Sequence, residues 1–338
     1  MFRVLLSIDF TLRGWWRALR CSWPWAALLL ALIVGTAMSA APLDTLTVVM
    51  SEDSATYRNV AETLRRELER AAPGRFRVGV IDAKAVKTTA AELLKNDAGL
   101  IVTVGVAAAT AVTESGDVRA PVLHTLVPRI AFDKLQASRR STGETASVSA
   151  IYLDQPASRT MEFVHLALPK ASRIGMIFGP DSAVLAKPNE LAARQIGLRV
   201  ESETITSAEE IPRVLDRVLS RSDLLLAVPD PQVYTRSTLQ GILLSAYRAN
   251  SPVIGFSSAY VRAGALAAVY STPEQIGRQA ADVILRAAAQ TRWQLPPPQE
   301  PRYFSVEVNR NVARSLGLVL QDDAQLLERL KLSGGSEL

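Results

Sequence analysis

The chain has 338 residues, of which 48% are apolar and 21% are charged. This composition is typical of globular proteins, and the length favours two lobes over one core. The formal net charge is +5, but four of the 38 basic and one of the 33 acidic residues lie in the first 20 positions. The remaining 34 basic and 32 acidic residues nearly balance, which excludes an electrostatic surface for nucleic acid.

The beginning of the chain has the order of a secretory signal. Residues 1–20 are basic, residues 23–36 are apolar and residues 37–42 are mostly small. We expect a signal peptide at 1–39, cleaved after Ser39, because Ala37 and Ser39 supply the small pair that signal peptidase needs. The protein is therefore expected in the periplasm. An uncleaved membrane anchor is the alternative, since the apolar run with its flanks approaches the shortest spanning length.

The only cysteine is Cys21, and it precedes the apolar run. It therefore cannot be the lipidated residue of a lipoprotein signal. The mature chain would contain no cysteine, which excludes disulfides, thiol nucleophiles and thiolate metal sites.

From residue 46 onward, short β-branched runs alternate with segments of helical periodicity. The pattern predicts strands at 46–50, 75–81, 100–104 and 122–127, separated by helices at 55–72, 90–94 and 107–113. Such β-α alternation indicates a parallel sheet covered by helices on both faces.

After a polar stretch at 139–145 the alternation starts again. An extended segment at 147–153 and a helix at 157–168 lead into predicted strands at 173–178, 198–204, 224–228, 252–254 and 265–270. The helices between and after them are predicted at 189–196, 208–219, 238–249 and 274–289. A proline-rich linker at 291–301 precedes a strand at 303–308 and a short helix near Val312. The fold class is therefore α/β, with two doubly wound parallel-sheet lobes.

Several segments of the second half resemble a known family. They are Ala227-Val-Pro-Asp-Pro231, residues 251–267, Gln275-Ile-Gly-Arg-Gln-Ala280 and the stretch 168–178. These segments are similar to the ABC-transporter substrate-binding proteins, a family that includes tryptophan- and tyrosine-type binding components. The similarity covers about residues 45–318.

The resemblance implies a type I periplasmic-binding-protein fold, in which three hinge crossovers join the lobes and a solute binds between them. We expect the crossovers at 147–153, 265–270 and 297–303. The expected division is 44–148 plus 268–290 for lobe 1 and 149–267 plus 302–322 for lobe 2, followed by a C-terminal tail at 323–338. The ligand implied is an amino acid or a similarly small polar compound.

In an open parallel sheet, ligands bind outside the carboxyl ends of the strands. The residues that follow the predicted strands are mostly hydroxyl-bearing, small or singly charged, which suits a polar ligand. The candidate ligand-binding residues are Ser51, Glu52, Gly105, Val106, Thr125, Gly179, Asp181, Asp230, Tyr234, Phe256 and Ser257.

Structural roles compete with ligand contact at several of these positions. Ser51 also fits as a helix cap, Asp230 as a turn initiator before Pro231, and Phe256 as a packing residue. Gly105 is explained by a strand-to-helix turn alone. The planar guanidinium of Arg129 is a second candidate, since it can pair with a ligand carboxylate.

If Asp230 contacts the ligand, Asp230→Ala is expected to weaken binding while leaving secondary structure intact.

Catalysis is not expected. The two histidines, His124 and His165, have no metal-binding spacing, and the sequence has no nucleophile elbow, phosphate-binding loop or dinucleotide fingerprint. We therefore predict no cofactor and no metal. The expected partners are a small-molecule ligand and the membrane permease of an ABC transporter, with no nucleic acid, and the protein is expected to be a monomer. A sensor that presents its closed form to a membrane receptor remains the alternative.

Overall fold

The computed structural model describes residues 44–87, 99–116, 118–142, 147–290 and 293–333. The predicted signal peptide at 1–39 and the predicted helix at 90–94 lie outside these ranges. Within them, no helix combines the length and the apolar character that crossing a bilayer requires.

The first lobe is built on a parallel sheet of five strands in the order β2-β1-β3-β4-β5. Its strands are β1 (Asp44–Met50), β2 (Phe76–Asp82), β3 (Leu100–Val104), β4 (Val122–Val127) and β5 (Val148–Tyr152). The helices between them are α1 (Ala55–Ala71), α2 (Val106–Glu114) and α3 (Arg129–Thr142).

The second lobe is built on a sheet of six strands in the order β11-β10-β9-β8-β6-β7, in which only β11 is antiparallel to its neighbour. The strands are β6 (Arg173–Phe178), β7 (Arg199–Thr204), β8 (Leu224–Leu226), β9 (Val253–Gly255), β10 (Ala267–Tyr270) and β11 (Ser305–Val308). Its helices are α4 (Ala157–Ala167), α5 (Ala186–Gln195), α6 (Ile211–Leu219), α7 (Arg236–Arg248), α8 (Ser258–Ala263), α10 (Arg310–Ser315) and α11 (Asp323–Ser333), whereas α9 (Pro273–Ala288) follows β10 but packs in the core of the first lobe.

Apolar side chains cover both faces of the first sheet. Along β1, Leu46 and Val48 belong to a core shared with Leu64 of α1, whereas Val49 belongs to a second core shared with Val112 of α2. This division follows from the alternation of side chains along a strand. The prediction of two parallel sheets covered by helices is confirmed.

Helix α9 follows the last parallel strand of the second sheet but packs against α1 of the first lobe. The two helices approach so closely at Gly277 that a Cβ there would lie 2.6 Å from the backbone oxygen of Val60. A Thr272–Gln275 capping box fixes the start of this helix, so its direction is set as the chain leaves the second lobe.

Three segments connect the lobes, at 153–156, 271–272 and 300–304. Just before the third, Gln299 extends the first sheet by hydrogen bonds with Ala150 and Tyr152. Side-chain amides tie the segments together. Gln155 Nε2 donates to Ser271 Oγ at 2.9 Å, and Gln279 accepts from the Arg302 N–H at 2.7 Å.

The sheets divide the chain at slightly different positions from those expected. Strand β5 lies wholly in the first sheet although the expected boundary falls at 148/149, and β10 lies wholly in the second although 268–290 was assigned to lobe 1. Helix α11 occupies most of the expected tail at 323–338, and its buried Leu326 and Leu330 join the core of the second lobe. Helices α3 and α8 are also additions to the predicted elements, and α8 spans only six residues, too few to show a helical period in the sequence.

Candidate functional site

The candidate site residues gather at the carboxyl edges of the two sheets. Strands β1, β3 and β4 end at this edge of the first sheet, and β6, β8 and β9 end at the corresponding edge of the second. The edges meet at one described contact, in which Lys134 Nζ of α3 lies 2.5 Å from Asp181 Oδ2 after β6. The loops of the two sheets therefore face each other at this contact, and the space between them is the candidate interlobe cleft.

In the first lobe, the hydroxyl of Ser51 joins two neighbouring loops. It donates to the backbone oxygen of Val104 at 3.0 Å and accepts from the N–H of Ala108 at 2.9 Å. Gly105 lies beside it with a φ of 90°, and a Cβ at this position would come within 2.6 Å of Ser51 Oγ. Ser51 and Gly105 thus build the turn that leads into α2, and the serine hydroxyl is already hydrogen bonded within the chain.

Two other candidates of the first lobe face solvent. Glu52 is exposed, and Val106 at the start of α2 is 40% exposed. Tyr57 of α1 packs against Gly105 between them, and burial together with the nearby charge of Glu52 raises the pKa of its hydroxyl. Glu52 and Val106 are therefore the solvent-exposed candidates of this lobe.

Thr125 lies within β4 and is fully buried. Its hydroxyl donates to the backbone oxygen of Thr103 at 2.8 Å. This side chain contributes to the interior of the sheet and does not reach the cleft.

In the second lobe, the carboxylate of Asp230 holds the loops after β6 and β8 together. Its Oδ2 accepts from the N–H of Gly179 at 2.9 Å and from the hydroxyl of Ser182, while Oδ1 accepts from Gln232 N at 2.7 Å and Val233 N at 2.6 Å. Only 6% of Asp230 is exposed. Four donors from the chain occupy its lone pairs, so this residue is an organiser of the loops.

Gly179 is required by the same arrangement. A Cβ at this position would lie 2.7 Å from Asp230 Oδ2. The third candidate of this loop, Asp181, directs its carboxylate to Lys134 of the other lobe.

Aromatic side chains support the loop after β9. The hydroxyl of Tyr260 donates to the backbone oxygen of Tyr234 at 2.6 Å, and its ring lies 4.3 Å from that of Phe256. Burial raises the pKa of both tyrosine hydroxyls. Tyr234 is 6% exposed and belongs to the core, whereas Phe256 is half-buried at the edge of the cleft.

Ser257 is half-buried and precedes α8 without capping it through its side chain. Within the part of the chain that the structure describes, its hydroxyl makes no hydrogen bond. Ser257 therefore keeps both its donor and its acceptor capacity for a ligand.

Sequence reasoning did not identify the polar groups of the crossovers. Asp154, between β5 and α4, accepts the N–H of Arg129 at 2.6 Å, and burial raises the pKa of its carboxyl. The guanidinium of Arg129 lies over the Tyr152 ring, 5.1 Å from its centroid. A helix start without its own capping side chain is a signal for such a distant partner, but it does not name the residue.

A separate polar group lies inside the first lobe. His124 of β4 is 1% exposed and its Nδ1 lies 2.7 Å from Thr103 Oγ1. Burial and the nearby charge of Arg139 lower the pKa of His124 to about 3. Among the described residues, no three side chains are arranged to ligate a metal ion.

A groove also lies between α1 and the start of β2. Arginines and glutamates of α1, together with Phe76 and Val78, line it. It is located at the amino ends of the strands, away from the facing loops.

A family model matches most of the chain. The sequence model of the family described as ABC transporter substrate binding protein matches residues 75–328. Among curated proteins no relative matches the sequence.

Solved structures share the fold at low sequence identity. A substrate-binding protein of Clostridium difficile with adhesive properties, in its open, ligand-free form, is 17% identical with a TM-score of 0.65, covering 83% of this chain and 97% of its own. The ABC domain of Streptococcus pneumonia in complex with L-Trp is 16% identical with a TM-score of 0.59, covering 85% and 98%. A conserved domain protein of Vibrio cholerae is 20% identical with a TM-score of 0.59, covering 84% and 97%.

Replacing Asp230 by alanine is predicted to destabilise the protein by about 3 kcal/mol, because buried N–H groups lose their acceptor. The loss should appear as a lower midpoint of urea unfolding followed by circular dichroism. Asp216→Ala removes an exposed carboxylate of α6 and should change stability by less than about 0.5 kcal/mol. Equal midpoints for Asp230→Ala and the parent would contradict the organising role.

Because His124 is buried and its pKa is lowered, the folded protein is expected to lose stability in acid. In the unfolded chain its pKa is about 6.5, whereas the folded value is about 3, so below pH ~6.5 the unfolded state binds a proton that the folded state does not. Stability is complete above pH ~6.5 and falls by up to about 1.4 kcal/mol per pH unit towards pH ~3. His124→Gln should remove this slope in urea titrations, and exposed His165→Gln should retain it. Parallel curves for His124→Gln and the parent would refute the prediction.

Proposed function

Because the chain belongs to the ABC transporter substrate-binding protein family, we propose that it captures a small polar solute and delivers it to a membrane permease. An amino acid or a molecule of similar size is the proposed ligand. The observation that carries this proposal is the meeting of the two carboxyl edges at Lys134 and Asp181, since ligands of open parallel sheets bind at such edges.

The accessible side chains between these edges support a small polar ligand with an apolar part. Ser257 offers a hydroxyl without an internal partner, and Glu52 offers a charged group. Val106 and the ring of Phe256 offer apolar surface on opposite lobes. A few polar groups beside apolar surface are typical of small-molecule sites.

The proposed mechanism is closure of the lobes around the solute. A ligand that contacts both lobes gains contacts only when they approach, so it raises the population of the closed state. The crossovers at 153–156, 271–272 and 300–304 would absorb the change in backbone angles. Binding requires no bond to be made or broken in the solute.

We further propose that the protein acts outside the inner membrane, in the periplasm. The basic, apolar and small-residue segments of positions 1–42 support export through a signal peptide. Chemical sequencing of the amino terminus of the exported protein should begin at Ala40. A terminus at Met1 in a membrane fraction would instead indicate a retained anchor.

Solute capture predicts a ligand-dependent rise in melting temperature. The panel should contain the protein amino acids, because a structural relative binds L-Trp, together with small sugars and other polar metabolites. A true ligand at roughly 100 times its Kd should stabilise the chain by about 2.7 kcal/mol. No rise with any member of the panel, and no change in X-ray scattering, would contradict the proposal.

For the solute that gives the largest rise, Ser257→Ala should weaken binding about ten-fold through the loss of one hydrogen bond. Isothermal titration measures this change. Ser245→Ala is the matched control, since Ser245 is half-buried near the end of α7, away from the carboxyl edge. Equal affinities for the two variants would remove Ser257 from the site.

A further inference from the structure

Lys134 and Asp181 form an ion pair that joins the two lobes away from the crossovers. Lys134 Nζ lies 2.5 Å from Asp181 Oδ2, and the side chains are 62% and 32% exposed. Among the ion pairs and side-chain hydrogen bonds formed by the described residues, the other connections between the lobes involve the crossover segments and the residues that flank them. The pair therefore bridges the opening of the cleft, at the loops themselves.

Each partner is held by a rigid part of its own lobe. Lys134 lies in the second turn of α3, a helix of 14 residues. Asp181 follows Pro180 in a short turn whose Gly179 N–H donates to Asp230 at 2.9 Å and whose Ala183 N–H donates to the Gly179 oxygen at 3.1 Å. Each partner is therefore attached to its own lobe.

We propose that this pair is a latch that favours the closed arrangement of the lobes and tunes the affinity of the cleft. A contact made in only one of two conformations shifts the equilibrium towards that conformation. Asp181, a candidate ligand-binding residue by sequence, would act on ligand affinity through Lys134 without contacting the ligand. The inference rests on the proposed function, since it concerns the regulation of the same cleft.

The exposure of the pair sets the size and the salt dependence of the effect. Exposed ion pairs change an equilibrium by roughly two- to five-fold. At an ionic strength of about 1 M the Debye length falls to roughly 3 Å. High salt should therefore open the parent protein but leave a variant without the pair unchanged.

The test measures lobe separation directly and needs no ligand. In the full chain carrying Cys21→Ser, spin labels are attached at Arg65→Cys of α1 and Arg194→Cys of α5, both exposed positions on different lobes. Electron–electron double resonance then gives the distance distribution, and the radius of gyration from X-ray scattering checks it independently. Lys134→Ala should increase the ratio of long to short distances by roughly two- to five-fold at low salt.

Two further variants separate the latch from a general effect of charge. Lys134→Asp combined with Asp181→Lys restores an ion pair of reversed direction and should restore the parent distribution. Lys170→Ala removes an exposed lysine at the amino end of β6 and should leave the distribution unchanged.

The latch is overturned if the parent, Lys134→Ala and the reversed pair have the same distance distribution and the same response to salt. This result is distinct from failure of the proposed function, which would appear as the absence of any thermal shift with the solute panel. A shift in lobe distance without a ligand response would support the latch and reject the solute class.

Discussion

Parallel strand direction is the constraint on which the rest of this structure depends. It brings the carboxyl ends of β1, β3 and β4 to one edge of the first sheet, and those of β6, β8 and β9 to one edge of the second. The backbone groups of the loops at such an edge have no partner within the sheet, so side chains must supply partners. One residue does so in each lobe: Ser51 links the loops after β1 and β3, and Asp230 links those after β6 and β8.

This solution separates residues that build the site from residues that can bind at it. Ser51 and Asp230 satisfy groups of neighbouring loops, and Thr125 bonds to the adjacent strand, so none of these polar groups is free. Ser257 differs because its hydroxyl does not cap α8, while the rings of Phe256 and Tyr260 on either side of it pack together. A rigid loop with a free hydroxyl gives a ligand a fixed partner at a small entropic cost.

Sequence periodicity was sufficient to predict the sheets, because β-branched strands and amphipathic helices leave local patterns. It also placed nearly all candidate residues after strand ends. It could not decide which of them were free, since Ser51 finds its partners 53 and 57 residues away and Asp230 meets Gly179 over 51 residues. Such pairings depend on the order of strands in the sheet, which neither composition nor spacing encodes. Periodicity also does not mark where β5 ends, because its extended pattern continues into the first crossover.

The lobes are joined by two kinds of polar contact, which respond differently to their surroundings. At the crossovers, neutral amides and hydroxyls pair in buried positions, with Gln279 1% and Ser271 7% exposed. Neutral hydrogen bonds are screened by salt far less than ion pairs are, although a charged group, Asp154, also contributes at the first crossover by accepting from the Arg129 N–H. At the opening of the cleft, the contact is between charges that water and ions reach. The crossovers therefore determine how the lobes can move, whereas the salt concentration acts on the proposed balance between open and closed arrangements.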